Sequence, residues 1–396
     1  MPYSTLEERF TMPGRKRILA LDGGGIRGAL TLGFLKKMED ELKERPENIY
    51  TTKEDFRLSH YFDLIGGTST GAIIASALAI GLSVDEIIKL YEEVGGQIFK
   101  RKYLLKFWKR WWVDYPHAPL VKQLQKTYSY NGKPIFFNDK GEGGIQTGLC
   151  IVMQRADTFS CWPLSNNPKA AYYKANNYPL WELVRCSSAA PTFFEPHVMK
   201  VLNKEGQPSE RNGVFVDGGL SMMNNPALQL FLTATLDAYK FNWETGADKL
   251  LIVSVGTGFQ KRQELEKKIS KRSKLGWAKN IPDMFMDGST WQNQLFMQWF
   301  GESKNSFMIN REVGNLADEK LMQGKKFFTY VRYNTKLEKS ELNDMLGFSF
   351  SDERIESLRK MDKGSNRGDL KTIGEKAAAV QFRPEHLPDI FNLKRP

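Results

Sequence analysis

The sequence predicts an α/β protein: a mostly parallel central sheet flanked by helices, followed by a smaller, mainly helical C-terminal region. Three observations carry this. Short apolar runs at residues 17–21, 61–65, 145–153, 213–216 and 250–255 alternate with helix-periodic segments, the pattern of strands buried on both faces. Glycine clusters follow the runs that end at residues 21, 65 and 255, where a strand must turn tightly. The texture then changes: residues 259–274 are dense in charge, and residues 283–308 in Met, Phe and Trp. The expected division is a principal domain over residues 15–258 and a helical cap region over 259–396.

In chain order, residues 17–21 read as a strand, followed by a glycine loop and a helix over 29–42. Residues 61–65 read as a second strand, with another glycine turn and helix behind it. Ser83 with Glu86 three residues on forms a capping box for a helix over 83–94. Asn225-Pro226 is the start signal of a helix running to about residue 239. The charge-free stretch 64–84 has the length of a membrane span, but its first third is Gly, Thr and Ser. A strand, a turn and a buried helix fit it better.

Composition narrows the function classes. The 396 residues carry 57 Lys and Arg against 46 Asp and Glu, a formal charge of +11, with 41% hydrophobic residues. This is globular composition, and its basic excess suits an anionic partner such as phosphate. Three cysteines exclude a disulfide framework and point to a reducing compartment. Residues 1–17 have charges and no apolar core of the secretory kind. The expectation is a chain without a membrane span.

Two motifs carry chemistry. Asp22-Gly-Gly-Gly-Ile-Arg-Gly28 satisfies G-x-G-x-x-G between a strand and a helix, but the acidic residues some 20 positions on read as helix surface. Converging backbone N–H groups make an anion cradle that suits a bound phosphate or a developing oxyanion equally well. Gly67-Thr68-Ser69-Thr70-Gly71 fits G-x-S-x-G in a strand–turn–helix context, the setting of a nucleophile elbow. A serine hydroxyl needs a base. Of the four histidines, His60, His117, His197 and His386, none follows a strand in a loop suited to catalysis. Asp217 ends the run 213–216 and precedes Gly218-Gly219, so a Ser69–Asp217 pair stands beside a Ser69–Asp217–His386 triad. A non-enzymatic nucleotide-binding module built on the glycine loop is a third reading.

The ordered set Asp22–Gly28, Gly67–Gly71, Ser187-Ser-Ala-Ala-Pro-Thr-Phe-Phe194 and Asp217-Gly-Gly219, with Asn224-Asn-Pro-Ala227 behind it, resembles patatin-like phospholipases over about residues 15–258. The resemblance implies a serine acyl hydrolase of phospholipase A or lysophospholipase type, acting through an acyl-enzyme without metal or cofactor. It implies Ser69 as nucleophile and Asp217 as general base. It also implies an oxyanion hole from the Gly23, Gly24 and Gly25 N–H groups, with Arg27 near the negative charge and Gly28 completing the loop. Gly67, Gly71, Gly218 and Gly219 support the motifs, and residues 187–194 form the site wall. Asp217 must be partly desolvated to act as a base near neutrality.

The charge is concentrated. Residues 99–115 hold six Lys or Arg and seven aromatics. On a helix, Leu104, Phe107, Trp108, Trp111, Trp112 and Tyr115 share a face opposite Lys102, Lys106, Lys109 and Arg110. That is the pattern of a helix lying in a bilayer interface, or of a domain helix with a solvated basic face. Residues 260–279 add eight Lys or Arg against two Glu. Trp291, Leu295, Phe296, Trp299 and Phe300, with Met284, Met286 and Met297, line an acyl tunnel or lid, or form simple core. The expected partner is an anionic phospholipid surface, with the protein cytoplasmic and peripheral at the inner membrane and no nucleic acid bound. A phospholipase there needs restraint, and some patatin-like proteins of bacteria are defence effectors switched on by cyclic oligonucleotides. A cyclic-nucleotide activator is the corresponding expectation.

Overall fold

The computed structural model describes residues 5–45, 53–98, 118–191, 193–260, 269–321 and 324–393. The basic aromatic segment 99–115 and His117 lie outside the described residues, as do residues 261–268 of the second basic run.

Nine strands form one sheet: β1 (Lys16–Leu21), β2 (Leu64–Thr68), β3 (Gly148–Arg155), β4 (Cys161–Ser165), β5 (His197–Leu202), β6 (Pro208–Asp217), β7 (Leu250–Val255), β8 (Gly301–Ser303) and β9 (Phe328–Tyr333). Their order is β8-β9-β7-β1-β2-β3-β6-β5, with β4 pairing on β3. The strands from β8 to β3 along this path are parallel, while β4, β5 and β6 join by antiparallel pairing.

Alternate side chains of the same strands enter two separate cores, as the two-residue period of a strand requires. Leu19, Leu21, Ile65, Ile151 and Val253 pack on one face with helices α1 (Gly28–Lys43) and α2 (Thr70–Ala79). The following α3 (Val84–Ile98) and α4 (Ala118–Thr127) add Ile87 and Leu124 to that side, and α5 (Leu180–Ser187) adds Leu183. Ile18, Ala20, Leu64, Val152 and Ile252 pack on the other face with α6 (Ala227–Thr235) and with Met297 of the long α7 (Lys274–Phe300). The result is helices on both faces of a mostly parallel sheet, as the alternating sequence pattern implies.

The chain beyond residue 258 shares this architecture. It supplies β8 and β9 to the sheet edge, and its helix α8 (Arg367–Gln381) crosses α1 on the first face. The crossing is close: a Cβ on Gly374 would lie 2.2 Å from the Leu30 carbonyl oxygen.

Some local boundaries differ from the sequence reading. Ser83 and Glu86 exchange the reciprocal cap bonds at the start of α3. The second strand begins at Leu64 instead of residue 61, because Leu58–Tyr61 forms a helical turn and the buried Asp63 is pinned by Arg9 and Arg17. α6 stops at Thr235, four residues short, where Leu236 turns extended at φ −73°, ψ 133°. Among the described residues no helix is long and apolar enough to cross a membrane.

Candidate active site

Two strand ends meet on one edge of β3. Val152 pairs with Thr68 of β2 and Pro163 of β4, while the next residue, Met153, pairs with Asp217 of β6 and Trp162 of β4. Since β4 occupies one edge throughout, β2 and β6 share the other. β2 runs parallel to β3 and β6 antiparallel, so their C-terminal ends approach head-on. The residues brought together there are Ser69 and Asp217.

Ser69 Oγ donates to Asp217 Oδ2 at 2.5 Å, and the second carboxylate oxygen accepts the Gly219 N–H at 2.7 Å. Ser69 stands at φ 56°, ψ −122°, a strained conformation of the kind a nucleophile elbow imposes, costing about 1–3 kcal/mol. Glycine makes the turn possible. A Cβ on Gly67 would lie 2.1 Å from the Gly71 carbonyl oxygen, and one on Gly71 would lie 2.1 Å from that of Leu21. Gly218 sits as tightly on the Val152 carbonyl, with 2.5 Å left for a Cβ, and Gly219 supplies the bond to Asp217.

Burial pushes the Asp217 carboxyl up to about 6, against the opposing pull of the Ser69 hydroxyl, the Gly219 N–H and the charge of Arg185. A carboxylate in this range can serve as a base near neutral pH. Arg185 is itself buried on α5, with Nη2 donating to the Glu195 carbonyl and its guanidinium 5.6 Å from the Phe194 ring centre.

Sequence reasoning treated Ser187 as wall. The structure gives it a contact with the elbow: its hydroxyl accepts the Ser69 N–H at 2.9 Å and donates to the Val152 carbonyl at 2.6 Å. Ser187 thus ties the strained serine to the strand that aligns β2 and β6. Its serine-rich motif was visible, but the partner lies 118 positions away. Ser187→Ala removes both of these buried hydrogen bonds, each worth about 0.5–1.5 kcal/mol. A fall of about tenfold in kcat with little change in KM is expected on any ester the protein turns over, read by steady-state kinetics.

The glycine loop is narrower in function than the sequence implied. The Gly23 N–H donates to the Asn224 carbonyl at 3.0 Å, and the Gly28 N–H to the carbonyls of Gly25 and Ile26, so both are already engaged within the fold. Gly28 instead lets α1 press on Thr70 and Tyr91. Among the described residues the Gly24 and Gly25 N–H groups have no acceptor, and both glycines line the cavity beside Ser69. Arg27 does not line that cavity. Its charge also acts on Asp22.

Two contacts from the C-terminal region hold this loop. Arg332 on β9 grips both carboxylate oxygens of the buried Asp22, at 2.8 and 2.5 Å, and also donates to Ser254. The Met361 carbonyl accepts the Ile26 N–H at 2.9 Å and lies 2.4 Å from where a Gly25 Cβ would be, at a glycine of φ +59°. No local sequence signal announces either contact, since Arg332 is 310 residues from Asp22.

The triad reading is not what the structure shows. His386 Nδ1 bonds to the Tyr333 hydroxyl at 3.0 Å, His197 pairs with Glu182, and His60 accepts the Arg57 N–H. Among the described residues no histidine bonds to Ser69 or Asp217.

A cavity of about 450 Å³ opens on the Ser69–Asp217 pair. Gly24, Gly25, Ser69, Asp217 and Asn224 gather at its polar end, and Ile73, Ile87, Leu124, Phe193, Met286 and Met361 line its apolar wall. Of the aromatic and methionine residues expected to line a tunnel, Met286 does so. Met297 is wholly buried in the core, and Phe296, Phe300 and Trp299 stack on one another.

A family profile described as patatin-like phospholipase matches residues 19–231. Patatin-like protein 1 of Arabidopsis thaliana is 30% identical over 306 residues, covering 69% of this chain and 65% of that protein. The chain therefore spans just under two thirds of that relative's length. Patatin-17 of Solanum cardiophyllum is 28% identical over 305 residues, covering 70% of this chain and 69% of its own. The crystal structure of VipD from Legionella pneumophila aligns over 91% of this chain and 67% of that one, with a TM-score of 0.33 and 11% identity, too slight a likeness to carry an argument.

Proposed function

The chain belongs to the patatin-like phospholipase family, and from that premise we propose that it cleaves fatty-acyl esters of membrane phospholipids through a Ser69–Asp217 dyad. The observation that carries this is the 2.5 Å bond from a strained elbow serine to a buried carboxylate, at the polar end of an apolar cavity. Asp217 takes the hydroxyl proton as Ser69 Oγ attacks the ester carbonyl. The Gly24 and Gly25 N–H groups receive the oxyanion, a preorganised arrangement worth more than the same bonds in water. Collapse breaks the ester bond, Asp217 returns the proton to the departing lysolipid or glycerol oxygen, and the acyl group stays on Ser69. Water, deprotonated by Asp217, then releases the fatty acid. The aliphatic wall suits an acyl chain, and the volume lies in the range of small-molecule sites. A nucleotide would place polar base and ribose groups against that wall without partners.

The base must be ionised to act. With its carboxyl raised to about 6, kcat/KM is expected to rise with pH through about 6 and level off above it. A pH–rate profile on a soluble ester checks this, and a rise centred near the ordinary aspartate value of 3.8 would remove Asp217 as the base. The reading as a whole is tested by mass-spectrometric profiling of products from mixed phospholipids, wild type against Ser69→Ala. Peripheral attachment to a membrane, and a restraint relieved by a cyclic-nucleotide activator in a bacterial defence role, are extensions of this proposal. Turnover with and without candidate cyclic di- and trinucleotides tests the second.

A further inference from the structure

α7 has two unlike faces near the cavity. Its inward side carries Met286 on the cavity wall and the buried Ser289, Asn293 and Met297, at helical spacing. Its outward side carries Trp277, Ile281, Met284 and Phe285, which are 37%, 46%, 55% and 69% exposed. The steps of four, three and one along the helix put these four on one stripe. Further exposed apolar side chains stand beside the inward side of the helix. Leu220 and Met222, in the segment after Asp217, are 44% and 49% exposed, Leu220 also lines the cavity, and Asn293 of α7 holds the Met222 carbonyl at 3.0 Å. Exposed apolar side chains thus stand both on the first half of α7 and on the segment after Asp217 that borders the cavity beside Ser69.

The charge at its N-terminal end is basic, while Asp283 and Asp287 follow within the helix. Residues 267–282 contain no Asp or Glu, and exposed Lys271 and Lys274 stand at the start of α7. The Arg272 guanidinium lies 5.1 Å from the Trp277 ring centre. Aromatic and aliphatic side chains flanked by cations fit a phospholipid interface: rings and chains enter at headgroup depth while ammonium and guanidinium groups meet anionic headgroups.

We propose that the stripe Trp277–Ile281–Met284–Phe285, with Leu220 and Met222, is the face on which the protein docks to an anionic phospholipid bilayer. Docking there sets the cavity against the membrane, so that an acyl chain passes from bilayer to apolar wall with little exposure to water. This rests on the hydrolase reading for its purpose, but not for its test.

The double variant Ile281→Glu/Phe285→Glu replaces two residues that do not line the cavity. Two readouts are taken: flotation with vesicles of phosphatidylcholine with and without phosphatidylglycerol, and hydrolysis of a dispersed short-chain ester. Wild type is expected to float with the anionic vesicles. The variant is expected to bind them at least about tenfold more weakly while keeping ester kcat/KM within about twofold. Lys271→Glu/Lys274→Glu is a second variant at exposed positions that leaves the apolar stripe intact, and it is expected to abolish the preference for the anionic vesicles. Unchanged flotation of either variant overturns the proposal. So does a wild-type dimer that the first variant converts to monomer without loss of flotation, which would assign the stripe to a second copy. Wild type that floats but cleaves no ester would overturn the hydrolase reading and leave the docking face standing.

Discussion

Ser69→Ala is expected to lower hydrolysis of acyl esters by about 10⁴-fold or more while the protein stays folded, the loss typical of removing a serine nucleophile. Asp217→Asn should cost a similar factor, because among the described residues Asp217 is the group bonded to the Ser69 hydroxyl that can take its proton. The two variants differ in what they do to stability. Asp217 has its carboxyl raised to about 6 by burial, above the ordinary 3.8. The folded state therefore binds its proton more tightly than the unfolded state does. The stability linked to that proton is fully present below about 3.8 and is lost as pH rises through about 6. At pH 8 the wild type holds a poorly solvated charge that asparagine does not carry. Thermal unfolding at pH 8 should accordingly give Asp217→Asn a Tm no lower than wild type, although its activity is gone. Substantial residual turnover in either variant would remove the dyad, and a large fall in Tm would attribute the lost activity to the fold.

Arg332→Met is the second large effect, and it acts on stability first. Arg332 and Asp22 are both buried, and they meet through two parallel bonds. Removing the guanidinium leaves the Asp22 carboxylate in the interior without its counter-charge, which costs about 3–5 kcal/mol in comparable cases. Asp22 directly precedes the glycine loop, so its displacement should also lower kcat by loosening Gly24 and Gly25. Replacing both partners costs less than breaking the pair. Asp22→Asn/Arg332→Met should regain part of the stability that Arg332→Met loses, a coupling that chemical denaturation of the three variants and wild type measures. Additive losses would show that the pair contributes no coupling of its own.

Much of this site was legible because its signals are local. A strand, a turn and a helix around Gly67-Thr-Ser-Thr-Gly71 are dictated within a few residues. The same holds for the loop at Gly23–Gly28 and for a carboxylate placed before two glycines. Even the raised Asp217 carboxyl followed from the need for a base at a free pKa too low to act. What was not legible was hydrogen-bond ownership. Four N–H groups in the glycine loop look alike in sequence, and the fold assigns Gly23 to Asn224 and Gly28 to the preceding turn while leaving Gly24 and Gly25 without acceptors.

The short buried strands and their glycine turns predicted, without coordinates, a mostly parallel α/β chain, and the motifs marked Ser69 and Asp217 as candidate site residues, with a triad through His386 still open. That Ser69 meets Asp217 without a histidine between them was decided by tertiary structure. β2 and β6 end against each other on one edge of β3, a pairing between residues 148 positions apart that no local preference encodes. The same holds for the C-terminal region. Composition marked residues beyond 258 as a change of texture, but the strand register carries Arg332 to Asp22, and the packing of the C-terminal region sets the Met361 carbonyl against Gly25. The physical reason is common to both. Dihedral preference and apolar periodicity act over a few residues, whereas a buried charge or an unpaired N–H is satisfied by whichever distant group the sheet brings within reach.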